Sequence, residues 1–314
     1  MMTSSATLAL TQFYKKLGFK EHPFLVSADP RFLFLSSQHQ VVLEAIQRVV
    51  VTRQGLAVVE GAVGVGKTTL ARRLYDMLRG DEKLFQPLYI HTATYKSTWE
   101  AMSDIAARLG VARQRSEKAL TRAFERWLIF KRAEGQMPVI IIDDAQHLGW
   151  RSLNAFQYIY NFDVHDKLAQ VIMFGQSEIR ELIAQNSGLL SRVVSWQTIL
   201  PLPPGETLSM INFRCAVAGR TEPLLEESAF YRLYEYSGGL PRTIVIVCSD
   251  ILSLMERAGK TIADEAIVNE AIENHKQRPE YQPARSPVAR RKPAAPGKSA
   301  KSATGRARAK GRNS

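Results

Sequence analysis

Eight residues, GAVGVGKT at 61–68, have the spacing G-x-x-x-x-G-K-[ST], with Gly61, Gly66, Lys67 and Thr68 at the defining positions and Gly64 between them. Glycines let a backbone curl so that successive N–H groups turn inward on a phosphate. A helix starting there adds the positive end of its dipole. Lys67 is a long point charge for the outer phosphates of a nucleotide, Thr68 carries a hydroxyl suited to Mg²⁺, and Thr69 extends the phosphate-binding run. The flanks are those the chemistry needs: the apolar, strand-length GLAVVEG (55–61) precedes the loop and TTLARRLYDML follows with helical spacing.

A second constellation is VIIIDDAQH, 139–147. Four apolar residues take the chain through a sheet core and deliver Asp143 and Asp144 at the carboxyl end of a strand, where open α/β sheets bind ligands. Asp143 is the expected metal-side acid and Asp144 the candidate for orienting an attacking water. Paired acids ending a strand also serve as helix N-caps; a phosphate loop 75 residues upstream favours the first reading.

Elements must hold these groups together. FQPLYIHT (85–92) reads as a second strand and LAQVIMFGQ (168–176) as another buried strand. QHQVVLEAIQRVVV after Ser36-Ser37, 97–110 capped by Ser97 or Thr98, 116–135, and SLNAFQYIYNF read as helices. Strand and helix alternate from 55 to about 200, which predicts an α/β fold with a parallel sheet covered by helices. Pro201, Pro203, Pro204 and Gly205 mark a boundary, and helical patterns run on to about 275. The expected organisation is a lead-in at 1–54 packed on the α/β domain, that domain at 55–204, a small helical lid at 205–275, and a basic tail at 276–314.

The chain has 314 residues and a net charge of +12. Residues 276–314 carry twelve Lys or Arg and one acid, so the rest is nearly neutral at +1. With five prolines and one aromatic, the tail is expected to be disordered. A mobile basic arm attracts phosphates without reading sequence, or merely solubilises. No apolar run reaches the roughly 18 residues of a membrane span, and the N-terminus lacks a secretory pattern. Two cysteines, Cys215 and Cys248, suit a reducing cytoplasm and read as core residues.

Taken together, LGFKEHPFLVSADPRFLFLSSQHQ, GAVGVGKTTL, VIIIDDAQHL, VIMFGQSEIRELI, LLSRV and SGGLPRTI resemble the AAA+ ATPases, and within them the ExeA-like group that includes transposon target-selection ATPases of the TnsC/TniB kind. The resemblance covers about 14–275. It implies ATP and Mg²⁺ as cofactors, Gln176 as a polar sensor near the γ-phosphate, Arg192 as an arginine finger reaching a neighbouring subunit's nucleotide, Arg242 as a lid arginine on the phosphates, and His39 with Phe32–Leu35 near the adenine. The family usually has Glu after the metal-side Asp, whereas Asp144 stands here. A carboxylate one methylene shorter holds water less well, which predicts slow hydrolysis with ATP acting mainly as an assembly switch.

Secretion-type ExeA proteins carry a transmembrane helix and a peptidoglycan-binding domain after the ATPase. A basic tail stands in that place here, which favours work on DNA in the cytoplasm. The resemblance to transposon regulators implies a homo-oligomeric ring or helical filament on double-stranded DNA, with a transposase and a target-selector protein as partners and no membrane. Its DNA-facing segments correspond to Thr94, Lys96 and Ser97 and to Arg113, Arg115 and Lys118, which otherwise read as an ordinary solvated face. A secretion or pilus-associated ATPase without DNA binding is the alternative, and a nucleotide-dependent scaffold a third reading.

Overall fold

The computed structural model describes residues 13–26, 29–91, 94–162 and 167–278. Residues 278–314 form a second unit of which only Arg278 is described, so the basic tail lies outside the described residues.

Five parallel strands make the sheet: β1 Leu56–Gly61, β2 Phe85–His91, β3 Met137–Asp143, β4 Gln170–Gly175 and β5 Val193–Ile199, in the order β2-β3-β4-β1-β5. β1, β3 and β4 are buried along their whole length, as continuous apolar runs in a doubly covered parallel sheet should be. β2 is an edge strand, which is where Pro87, lacking an N–H, does no harm to the ladder. The alternation expected from the sequence holds, with two differences. VIIIDDAQHL stops being a strand at Asp143 and turns into a short 3-10 helix, Ala145–His147. VVSWQTI, which carries no strand signal of its own, is β5; as a half-exposed edge strand it mixes apolar and polar residues and shows no buried run.

Alternating strand residues separate the two faces. Ala57, Val59, Val139, Ile141, Ile172 and Phe174 pack under α1 (Ser37–Val51) and α2 (Lys67–Arg79). In α1 the buried set His39, Val42, Leu43, Ile46, Val49, Val50 recurs every three or four residues. The opposite face, with Leu56, Val58, Ile140, Ile142 and Met173, is covered by α3 (Thr98–Arg108), α4 (Glu117–Ala133), α5 (Trp150–Asn161) and α6 (Glu178–Ala184). The single turn α7 (Ser187–Leu190) leads into β5.

Among the described residues four helices follow β5: α8 Pro204–Val217, α9 Glu227–Ser237, α10 Pro241–Ala258 and α11 Glu265–Lys276. Their core also takes in Leu17, Phe19, Phe24 and Phe32, so the first part of the lead-in packs with the helical layer and only α1 packs on the sheet. Two buried arginines bind this segment. Arg214 donates to the carbonyls of Pro23 (2.8 Å), Phe32 (3.1 Å) and Leu25 (3.0 Å). Arg220 donates to those of Leu17 (3.2 Å), Glu222, Pro223 and Thr261. Each guanidinium saturates carbonyls that a loop crossing a core would otherwise leave unpaired. Burial lowers the pKa of both arginines from the ordinary value. Cys215 and Cys248 are free and buried in the same core, and burial pushes the Cys215 thiol up to about 12. Arg214→Met keeps the volume and removes the donors. It should lower unfolding free energy by about 2–4 kcal/mol in urea titrations at pH 7, and a loss below about 1 kcal/mol would show that the carbonyls find other partners.

Candidate functional site

The phosphate loop leaves β1 at Gly61 and enters α2 at Lys67. Gly64 and Gly66 have φ of 85° and 105°, a region closed to most side chains, which gives the pattern's glycines their reason. Around Gly64 space is short as well, since a Cβ there would lie 3.0 Å from Cβ of Arg242. Gly66 offers no side-chain cap to α2, and the first intrahelical bond to it runs from Leu70 N–H (2.9 Å). The N–H groups of the first turn therefore stay open for an anion. Lys67 is buried and folds back across the loop, donating from Nζ to the carbonyls of Gly61 and Ala62, both at 2.9 Å. Burial lowers its pKa from the usual lysine value, opposed by Asp144, Asp143 and Glu178.

A cleft of about 730 Å³ opens above this loop. Val63–Leu70, Arg72, Arg73, Asp144, Gln176 and Arg242 line its polar side; Leu25, Phe32–Leu35, Met210, Phe213 and Val245 line its apolar side. The sheet order explains the convergence: β1 lies between β4 and β5, so the loop after β1 lies beside Gln176 at the end of β4. Arg242 begins α10, and its backbone N–H donates to Gly64 O (3.2 Å), which seats the helical layer on the loop.

Asp143 is fully buried at the end of β3. Its Oδ1 accepts from Asp144 N–H (3.0 Å) and its Oδ2 from the Tyr89 hydroxyl (2.8 Å). Burial and Asp143 raise the Tyr89 phenol above its ordinary value, so it stays a donor. Asp144 adopts the left-handed region (φ 50°), which Asp tolerates better than most residues. Gln146 joins the acids to the end of β4, donating from Nε2 to Asp144 Oδ1 (3.2 Å) and accepting at Oε1 from Gln176 N–H (3.1 Å). The Thr68 hydroxyl and the Asp143 carboxylate, which keeps unused lone pairs, are hard oxygen donors of the kind Mg²⁺ takes.

His39 lines the cleft, and its ring is bonded on both sides. Its Nδ1 accepts from Ser36 N–H (3.3 Å) in a capping box, which leaves the proton on Nε2 to donate to Val65 O (3.2 Å). Both ring nitrogens are committed to fastening α1 to the phosphate loop. Arg192 stands apart from the cleft. It precedes β5, whose Val193 is opposite Leu56 at the start of β1, so about 20 Å of strand separates it from its own phosphate loop. Its Nη1 donates to Gly188 O and its guanidinium lies 5.7 Å over the Tyr160 ring.

The six proposed DNA-facing residues split into two groups at opposite ends of α3, about 16 Å long. Thr94 and Lys96 are exposed before it; the Ser97 hydroxyl is used as its N-cap, accepting from Glu100 N–H (3.1 Å). Arg113, Arg115 and Lys118 are exposed after it. Sequence reasoning passed over Arg72, Arg73 and Asp76, one and two turns past Thr68 on the cleft side of α2, and Tyr89 and His91 at the end of β2. The sequence signal for the last pair was only their alternate spacing at the end of a strand; the register that sets His91 opposite Asp143 is tertiary.

Residues 50–183 match the family model described as AAA domain. General secretion pathway protein A of Aeromonas hydrophila is 29% identical over 245 residues, 77% of this chain and 44% of that protein. The chain spans less than half the length of the curated relatives it matches. Among solved structures, the Aeropyrum pernix ORC2 protein in its ADPNP–ADP complexes is similar at a TM-score of 0.58 and 16% identity, over 82% of this chain and 72% of that one. The Aeropyrum pernix ORC1 protein in complex with DNA is similar at a TM-score of 0.58 and 15% identity, over 82% and 71%. At these identities the likeness is one of fold. Residues 50–183 thus resemble an AAA domain, and the likeness to the solved structures is that of an α/β fold with a parallel sheet. Among the described residues no helix is long and apolar enough to cross a membrane.

Burial lowers the pKa of His39 below the ordinary histidine value despite the bond to Val65. The neutral ring is thus the folded form, and acidification through the unfolded value of about 6.5 favours unfolding. In denaturant titrations the wild type should lose stability between pH 7.5 and 5.5 faster than His39→Gln, which keeps the capping box without the titration; parallel curves would refute the role assigned to the ring.

Proposed function

We propose that the protein binds ATP with Mg²⁺, hydrolyses it slowly, and uses it to assemble head-to-tail on duplex DNA in the cytoplasm, where it regulates transposition by choosing targets and recruiting a transposase. The observation that carries the nucleotide half is the single cleft where Lys67, Thr68, Asp144, Gln176 and Arg242 meet. Thr68 and Asp143 hold the metal, which when bound neutralises phosphate charge. Lys67 leaves the Gly61 and Ala62 carbonyls for the outer phosphates, Asp144 orients water, Gln176 faces the γ-phosphate, and Arg242 ties the lid helix to it. The apolar part of the cleft takes the base. Asp144, short and held by Gln146, favours slow turnover.

Arg192 is too far along the sheet to serve its own loop, which supports its action on a neighbour's nucleotide and makes hydrolysis depend on assembly. Exposed Lys96, Arg113, Arg115 and Lys118, and a tail of net charge +11, support contact with DNA phosphates. A structure of similar fold, the Aeropyrum pernix ORC1 protein, is in complex with DNA. The match to general secretion pathway protein A favours a second reading, an ATP-driven secretion ATPase that needs no DNA.

Two experiments separate these ideas. Arg192→Ala should keep ATP binding and lose hydrolysis by about 10³-fold or more. Mixing it with hydrolysis-dead Asp144→Asn, whose finger is intact, should restore part of the activity; no recovery in the mixture refutes action in trans. With ATP and Mg²⁺ the wild type should shift duplex DNA, and the affinity should fall steeply with salt. Assembly without any shift at low salt would move the conclusion to the secretion reading.

A further inference from the structure

The carboxylate of Asp143 is held at two points. Asp144 N–H donates to Oδ1 (3.0 Å) and the Tyr89 hydroxyl to Oδ2 (2.8 Å). The torsion that swings a carboxylate is broad and roughly two-fold, so a single anchor would leave the other oxygen free to turn. Anchors on both oxygens fix the plane. A carboxylate offers about four lone-pair positions, of which these bonds use two, and the others then keep a set direction. His91 Nδ1, at 3.6 Å from Oδ2, is beyond hydrogen-bond reach, which leaves the phenol as the holder of that oxygen.

Tyr89 is itself held from several sides. It lies on β2 opposite Ile141, with its ring packed on the face of the sheet that α2 covers. The ring meets Tyr75 of α2 edge-on, with centroids 5.9 Å apart and planes at 70°. Its backbone carbonyl accepts from the Arg108 guanidinium. Arg72, one turn beyond Thr68 on the same side of α2, lines the cleft and stands beside the hydroxyl. A phenylalanine would pack in the same place. What tyrosine adds is the donor on Oδ2.

We propose that Tyr89 is a positioning residue for metal-bound nucleotide: its hydroxyl sets the Asp143 carboxylate in the orientation that receives Mg²⁺. This rests on reading Asp143 as the metal-side acid of the nucleotide site. The phosphate loop grips the phosphates without help from Tyr89. The residue therefore governs the metal-dependent share of nucleotide affinity and leaves the metal-free share alone. Outer partners of this kind orient a ligand without touching the ion.

The test uses the full chain and a fluorescent ATP analogue, N-methylanthraniloyl-ATP, titrated first in EDTA and then over a range of Mg²⁺. Wild type should bind the analogue in EDTA and bind it more tightly as Mg²⁺ is added. Tyr89→Phe keeps the ring against Tyr75. It should hold the EDTA affinity within about twofold of wild type and raise the Mg²⁺ concentration at half effect about tenfold or more. In an Asp143→Asn background the same change should add less than about twofold, because the hydroxyl acts through that carboxylate. Equal losses with and without Mg²⁺ would mark a purely structural partner and overturn the proposal. So would an unshifted Mg²⁺ dependence, or a full further loss in the Asp143→Asn background. A wild type that binds the analogue without any response to Mg²⁺ would take Asp143 off the metal side and the proposal with it, while the nucleotide reading stands. Absence of binding under both conditions would refute the nucleotide reading itself and the proposal that rests on it.

Discussion

An open helix end governs this molecule. α2 begins at a left-handed glycine with no side chain to cap it, and its first-turn N–H groups face a cleft. Folding leaves those donors and the buried Lys67 ammonium only partly satisfied, the lysine by two carbonyls of its own loop. A polyphosphate is the ligand that completes both at once, through N–H donors, helix dipole and a point charge. The surroundings keep the loop in that shape. His39 holds Val65 from one side, and the backbone of Arg242 holds Gly64 from the other.

The contact with Arg242 joins two hydrophobic cores. The sheet with its helices is one body of packing, and α8–α11 with the lead-in is another. The lead-in threads between them: Phe19, Phe24 and Phe32 are buried with the helices, while α1 lies on the sheet. Arg214 and Arg220 make this threading tolerable by donating to backbone carbonyls that would otherwise be buried without partners. Phe32–Leu35, Phe213 and Val245 then form the apolar half of the cleft, so the same packing that fastens the lead-in also shapes the wall available to a base.

At the other wall, charge is arranged economically. Asp143 is anchored through Tyr89 and the next N–H, Asp144 is turned into the left-handed region, and Gln146 links it to the tip of β4. One amide side chain thus bridges Asp144 and the backbone of Gln176.

Local pattern alone determined the phosphate loop, the acid pair, four of five strands and most helices. Their signals are short-range: glycine spacing, a buried apolar run, a cap three residues before its partner. The fifth strand escaped because an edge strand needs no continuous apolar face, and VVSWQTI has none. Tertiary structure decided what depends on register and on which core a segment joins. It made His39, which lines the cleft, a brace for the loop, divided the basic residues between the two ends of α3, and set Arg192 at the far edge of the sheet. It also brought His91 beside Asp143, 52 residues later in the chain, because parallel pairing of β2 with β3 is a contact between distant segments that no local spacing encodes.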